Sequence, residues 1–271
     1  MRPRIQRIHS SQKLIQFCLA STCTILFAVH VSLAADSSSV VTRDTLSSAH
    51  RQELIASLRL ITGWRDLSFD SDGALRIGAA DIATGSRHAR ELLASAVKGD
   101  RIIVLEDATS RSDVAFCRVV PGRWVGSQPR SQPVYVVLID FADFQQITGD
   151  EKARAAFDVG WGFLHEIDHV VNDSQDPRSS TLPGDCEDHI NDMRRELGLP
   201  IRAGYFFTPL GLRTDPNFTT RFVRLGFVQH DAVSGKSKRY WLVWDANVVG
   251  GSIEQRQTAL VQPSTSWPTE W

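Results

Sequence analysis

His165, Glu166 and His169 lie close together in the run Gly162-Phe163-Leu164-His165-Glu166-Ile167-Asp168-His169-Val170-Val171. Residues four apart on a helix share a face, so His165 and His169 can present both imidazoles to one ion. Zinc binds neutral imidazole readily and prefers a tetrahedral site, with one position left open when the site is catalytic. Glu166 is one residue round from His165, which aims its carboxylate at a water beside the ion rather than at the ion. That is hydrolytic chemistry: the metal acidifies a water, and the glutamate takes its proton as it attacks a carbonyl. The pattern predicts one Zn2+ per chain, with Glu166 as general base. The competing reading is two surface histidines on a soluble helix.

A catalytic site needs a third protein ligand. The elongated pattern HExxHxxGxxH is absent, because Asn172 stands at the glycine and Gln175 at the last ligand; this argues against the metzincin type. Zincins of the glutamate type take the third ligand from a later helix. Gly184-Asp185-Cys186-Glu187-Asp188-His189 offers Glu187 first, Asp188 as the alternative and His189 behind them. The carboxylate that does not bind would hold a histidine by its other nitrogen. Asp173 and Asp176 read as solvated turn residues, and Asp168 as a solvated or capping carboxylate.

The motif must sit on a helix, and Glu151 to Val171 reads as a long one. Phe157, Trp161 and Leu164 along one side would seat it on a core. Gly160 and Gly162 each cost about 1 kcal/mol of helix propensity. Either they admit another backbone or a substrate, or the helix is kinked there or begins after Gly162. Asp185 to Leu197 reads as a second helix, stopped by Gly198 and Pro200. Upstream, helices are predicted over Thr45–Thr62 and Ser86–Lys98, the latter capped by Ser86 and ended by Gly99. Strands are predicted over 67–69 and 74–77 around a Ser71-Asp72-Gly73 turn, then over 101–105, 114–120 and 133–140. The apolar run Val134–Ile139 suggests a strand covered on both faces. A late hairpin joins Phe222–Gln229 to Arg239–Trp244 through Ser234-Gly235-Lys236. Strands first and a helical, site-bearing half later give an α+β fold.

Met1 to Lys13 is basic without acids, Leu14 to Leu33 is mostly apolar, and Ser32-Leu33-Ala34-Ala35 is small. That order predicts a signal peptide over 1–35 and an exported, periplasmic or secreted protein with no membrane contact after its removal. One domain over 36–271 then divides into a leader or pro-segment (36–64), Ser-rich and loose from Asp36 to Thr45, a core (65–205) and a C-terminal hairpin and tail (206–271). With 30 basic and 31 acidic residues, removal of Arg2, Arg4, Arg7 and Lys13 leaves a net charge of 26 against 31, about −5. Nothing in that balance suggests nucleic acid. Cys18 and Cys23 leave with the signal. Cys117 and Cys186 remain as a possible disulfide, or as buried thiols.

HEIDH followed by Glu187, Asn191, Arg194, Gly198, Pro200, Arg202 and Tyr205 resembles a bacterial group of zinc metallopeptidases. The group includes effector-type proteases and toxin domains of large repeat proteins. The likeness extends to Gly85-Ser86-Arg87-His88-Ala89-Arg90 and to the strand ending in Asp140, covering roughly 70–205. It implies a zincin-like fold, with a small sheet against an HExxH helix and a second ligand-bearing helix, and hydrolysis of peptide or protein substrates. Effector-type members act inside other cells, and the signal sequence here departs from that pattern.

Tyr205, Arg194 or Arg202 would stabilise an oxyanion or tie a helix end to the core. Asp140 reads as a strand-end carboxylate, and His50, His88 and His230 as ordinary. Two other functions fit the same residues. One is a non-catalytic module with a closed zinc site completed by Cys186 or His189. The other is an amidase acting on a non-protein amide.

Overall fold

The computed structural model describes residues 38–78, 84–109, 111–123, 131–178, 183–210, 221–231 and 233–250. The expected signal peptide (1–35) and the tail from Pro263 to Trp271 lie outside them. No helix among the described residues is long and apolar enough to cross a membrane.

The described chain is a mixed α+β structure. It begins with β1 (Val40–Thr42), α1 (Ser48–Thr62), the hairpin β2 (Ser68–Phe69) and β3 (Leu75–Arg76), and α2 (Arg87–Lys98). Then come β4 (Ile102–Asp107), β5 (Cys117–Pro121), β6 (Val134–Ile139), α3 (Phe141–Gln145) and β7 (Thr148–Gly149). The second half holds α4 (Glu151–Ala155), α5 (Val159–Asn172), α6 (Asp185–Glu196), β8 (Ile201–Arg202), β9 (Thr208–Pro209), β10 (Phe222–His230) and β11 (Ser237–Asp245).

One sheet has the order β1-β4-β6-β5, with β1, β4 and β6 parallel and β5 antiparallel to β6 at the edge. Parallel neighbours need long crossovers, and the β1–β4 connection carries α1, the β2–β3 hairpin and α2. β6 is covered on both faces, as its unbroken apolar run predicts: Val137 and Ile139 join the main core, while Val134, Val136 and Leu138 join another cluster. A second sheet, β7-β11-β10-β8 with β9 beside β10, encloses its own cluster around Phe227, Leu242 and Trp244.

Three expectations are corrected. The Ser-rich stretch after residue 36 contains β1, which pairs with β4; Leu54 and Leu58 of α1 are fully buried in the main core. The long helix from Glu151 is two helices. Asp158 breaks it by accepting the N–H groups of Gly160 and Trp161, an N-cap that starts α5 afresh and leaves Phe157 outside it. The strand expected from Val114 begins at Cys117, because Phe116 has φ 63 and turns its ring into the cluster of Phe144, Phe157 and Trp244.

α5 packs on β5 and β6 and is flanked by α1, α2 and α6. Trp161, Phe163, Leu164 and Ile167 are at most 1 % exposed. Each contributes roughly 1.5–3 kcal/mol of burial, more than the helix-propensity cost of either glycine. The glycines are sites of close approach: a Cβ on Gly160 would lie 2.1 Å from Ser57 Oγ, and one on Gly162 2.8 Å from Cys117 Sγ.

Candidate metal centre

α5 places the His165 and His169 rings on one face, centroids 4.8 Å apart. Both are nearly buried, as is Glu166. α5 ends at Asp173, which adopts the left-handed conformation at φ 55, a region that aspartate enters more readily than most residues. The chain doubles back, and the loop lands on the histidines. The Ser174 carbonyl lies 2.8 Å from His169 Nδ1. A carbonyl only accepts, so Nδ1 carries a proton and Nε2 is the nitrogen turned toward Asp176, open to an ion once its own proton is lost.

His165 reaches the same state by another route. The Cys186 thiol donates to the His165 carbonyl at 3.3 Å, and its sulfur lies 3.3 Å from His165 Nδ1. His165 Nδ1 is thus engaged from behind, and Nε2 is the nitrogen turned toward Asp176.

Both Nε2 atoms face Asp176. Its Oδ1 lies 3.1 Å from His165 Nε2 and 3.5 Å from His169 Nε2. Two N or O ligands on a tetrahedral zinc, each at about 2.0–2.1 Å, stand about 3.3 Å apart. Asp176 Oδ1 therefore stands from each Nε2 at the spacing of two ligands on one ion, and two imidazoles with a carboxylate are donors that zinc accepts. Asp176 is an exposed residue, as its polar loop suggests, but its carboxylate also reaches both histidines. Burial opposes its ionisation, but the two imidazoles hold it well below the usual carboxylate range. Burial likewise works against protonation of His169, yet Asp176, Glu166 and the Ser174 carbonyl outweigh it and lift its pKa to about 9.

Glu187, expected as the third ligand, comes to His165 from the other side. Its Oε2 lies 3.6 Å from Nδ1, and the carboxylate forms ion pairs with Arg194 and, at 2.8 Å, with Arg202. Burial raises its pKa, but Arg202, Arg194 and His165 together bring it down to about 2. The two guanidinium groups hold it on the Nδ1 side of that ring. The alternative, Asp188, is exposed. His189 is taken by Asp168, with Nδ1 2.9 Å from Oδ2.

Asp168 is not solvated either; it is fully buried and also accepts from Asn172 and Ser174. Arg194 is buried, donates to the Ala156 carbonyl and Asn191, and lies over the Trp161 ring. Asn191 in turn exchanges hydrogen bonds with the Arg202 backbone. The distinctive Asn191–Arg202 stretch thus ties α6 and β8 to the start of α5. Asp140 caps α3. Cys117 and Cys186 are unbridged: Cys117 faces Gly162, while Cys186 is engaged by His165. His50, His88 and His230 pair with Asp107, Glu196 and Ser237.

Glu166 Oε2 accepts the Val119 N–H of edge strand β5 at 2.8 Å. Burial raises its pKa, against the pull of both histidines. The Tyr205 ring stands 6.0 Å from that of His165. Burial raises its hydroxyl pKa, and contact with the Asp176 carboxylate adds to the effect.

The placement of Asp176 beside the histidines had a faint signal in the sequence. The elongated pattern turns at 172 and binds at 175. Here the left-handed residue is Asp173 and the carboxylate is Asp176, each one position later. Matched against protein-family models, curated proteins and solved structures, the chain finds no counterpart.

Proposed function

We propose that this chain is an exported, zinc-dependent metallopeptidase with a zincin-like arrangement. One observation carries the reading: the Nε2 atoms of His165 and His169 converge on Asp176 Oδ1 at ligand spacing. His165, His169 and Asp176 hold the ion. Bound there, zinc would supply Lewis acidity, acidifying a water and polarising the carbonyl of the scissile bond. Glu166 accepts the proton of the attacking water and returns it to the leaving amine. Its raised pKa suits both transfers, and the Val119 N–H holds the carboxylate in one orientation. Tyr205 stays a neutral donor, suited to the oxyanion that develops on the carbonyl. Export rests on the basic, apolar, small-residue order of 1–35.

A second reading has one observation behind it. Ligand atoms of His165, His169 and Cys186 lie within 4.8 Å of one another, the set a closed structural site would use. Burial pushes the Cys186 thiol far above its ordinary pKa, and the Asp168 and Asp176 charges add to this, so in such a site the ion itself would have to displace the thiol proton.

Elemental analysis of the purified protein, with an assay on a mixed peptide library, tests the proposal. About one zinc per chain and chelator-sensitive cleavage are expected. A zinc content that survives Asp176→Ala but is lost in Cys186→Ser would replace the catalytic site with the closed one. A wild-type protein that takes up no zinc would end both readings.

A further inference from the structure

We propose that Asp168, the fourth residue of HEIDH, is a positioning residue that holds the ligand-bearing loop 173–176 against the two histidines through Ser174. The inference rests on the metal reading above and adds the device that assembles the site.

The loop has little of its own to hold it. Asp173, Gln175 and Asp176 are exposed, and none of the loop residues is apolar. Ser174 is the link. Its hydroxyl donates to Asp168 Oδ2 at 2.6 Å, while its carbonyl accepts from His169 Nδ1 at 2.8 Å. One residue therefore joins Asp168 to the tautomer of His169, and it stands two residues before Asp176. A short loop fixed at Ser174 leaves the Asp176 side chain few positions, and the observed one faces both Nε2 atoms.

Asp168 is itself held on every side. Asn172 Nδ2 donates to its Oδ1 at 2.6 Å, closing the last turn of α5, and His189 Nδ1 meets Oδ2 at 2.9 Å from α6. A fully buried carboxylate with no lysine or arginine partner among the described residues is costly, and an apolar residue would fill the same space without that cost. What an apolar residue cannot do is accept Asn172, Ser174 and His189 together. The start of α6 backs the loop as well: Gly184 has φ 83, and a Cβ there would fall 2.7 Å from the Pro177 nitrogen.

The test measures zinc affinity of the full protein by competition with a chromophoric chelator. It also records the visible spectrum of the cobalt-substituted protein and the melting temperature without metal. Ser174→Ala is expected to weaken zinc binding about 10- to 100-fold, the usual effect of removing a group that orients a ligand. It should also change the cobalt bands, with a near-wild-type melting temperature; Ser174→Thr, which keeps the hydroxyl, should recover affinity. Asp168→Asn should weaken binding at least as much. If Asp168→Asn does not fold, the serine variants decide alone. Variants that melt early yet bind zinc with wild-type affinity reduce Asp168 to a purely structural role and overturn the inference. A wild-type protein that binds no zinc removes the metal reading, and this inference with it. Wild-type binding with undiminished affinity in Ser174→Ala removes the inference alone.

Discussion

Glu166 accepts the backbone N–H of Val119 at 2.8 Å, so the proposed general base on α5 is oriented by the edge strand β5. A glutamine can accept the same N–H through its amide oxygen but cannot take a proton from water. Glu166→Gln should therefore keep zinc at the wild-type level and lose hydrolysis by about 10²- to 10⁴-fold or more. Zinc content and turnover measured on one preparation check this. Full activity in the variant would refute the assigned mechanism.

Asp176 and Glu187 are both carboxylates near the histidines, and their removal should read out differently. Asp176→Ala takes away an oxygen at ligand spacing from two imidazoles and should abolish stoichiometric zinc while sparing the fold. Glu187→Ala leaves the Arg194 and Arg202 charges without their carboxylate and should destabilise by about 3–5 kcal/mol. Denaturant unfolding beside metal analysis separates the two. Loss of zinc from folded Glu187→Ala with full retention in Asp176→Ala would restore Glu187 as the ligand.

The same ion pairs set an acid dependence. The folded Glu187 carboxyl titrates at about 2, against an ordinary value of 4.5. A depressed carboxylate pKa stabilises the fold fully above the ordinary value, and that contribution is lost as pH falls from 4.5 towards 2. The stake is roughly 3 kcal/mol, from the fall of the carboxyl pKa from 4.5 to about 2. Unfolding free energies of metal-free protein across this range should fall more steeply for wild type than for Glu187→Gln. Parallel curves would mean that Glu187 titrates normally.

Gly160 sits where α5 crosses α1. Ser57 Oγ, which an added Cβ would meet at 2.1 Å, donates to the Asp158 cap at 2.7 Å and cannot swing away without breaking it. Gly160→Ala should therefore destabilise by about 1–3 kcal/mol, despite the better helix propensity of alanine. Thermal melts of the two proteins test this; a stabilised variant would show that the helix contact is loose.

Much of the positioning frame was legible in local signals. Ser86 and Gly99 bound α2, the apolar run 134–139 marks β6, and the Ser234-Gly235-Lys236 turn joins β10 to β11. Caps, turns and apolar runs are short-range physics, so they can be read along the chain. The pairing of β1 with β4 was not legible: three residues in a serine-rich stretch carry little periodicity, and a partner some 60 residues away supplies the strand. The split before α5 was hidden for a related reason. Asp158 suits an N-cap, but so do many aspartates, and only the bonds to Gly160 and Trp161 single it out.

The sequence by itself determined the pair His165 and His169 and the glutamate beside the first, because helical spacing alone puts two imidazoles on one face and turns Glu166 aside. Tertiary structure decided which carboxylate stands between the two imidazoles. Glu187 and Asp176 have the same chemistry, and nothing in their order along the chain distinguishes them. The distinction lies in what else each meets in space. Two guanidinium groups hold Glu187 on the Nδ1 side of His165, while the left-handed turn at Asp173 and the Ser174 bridge bring Asp176 to both Nε2 atoms.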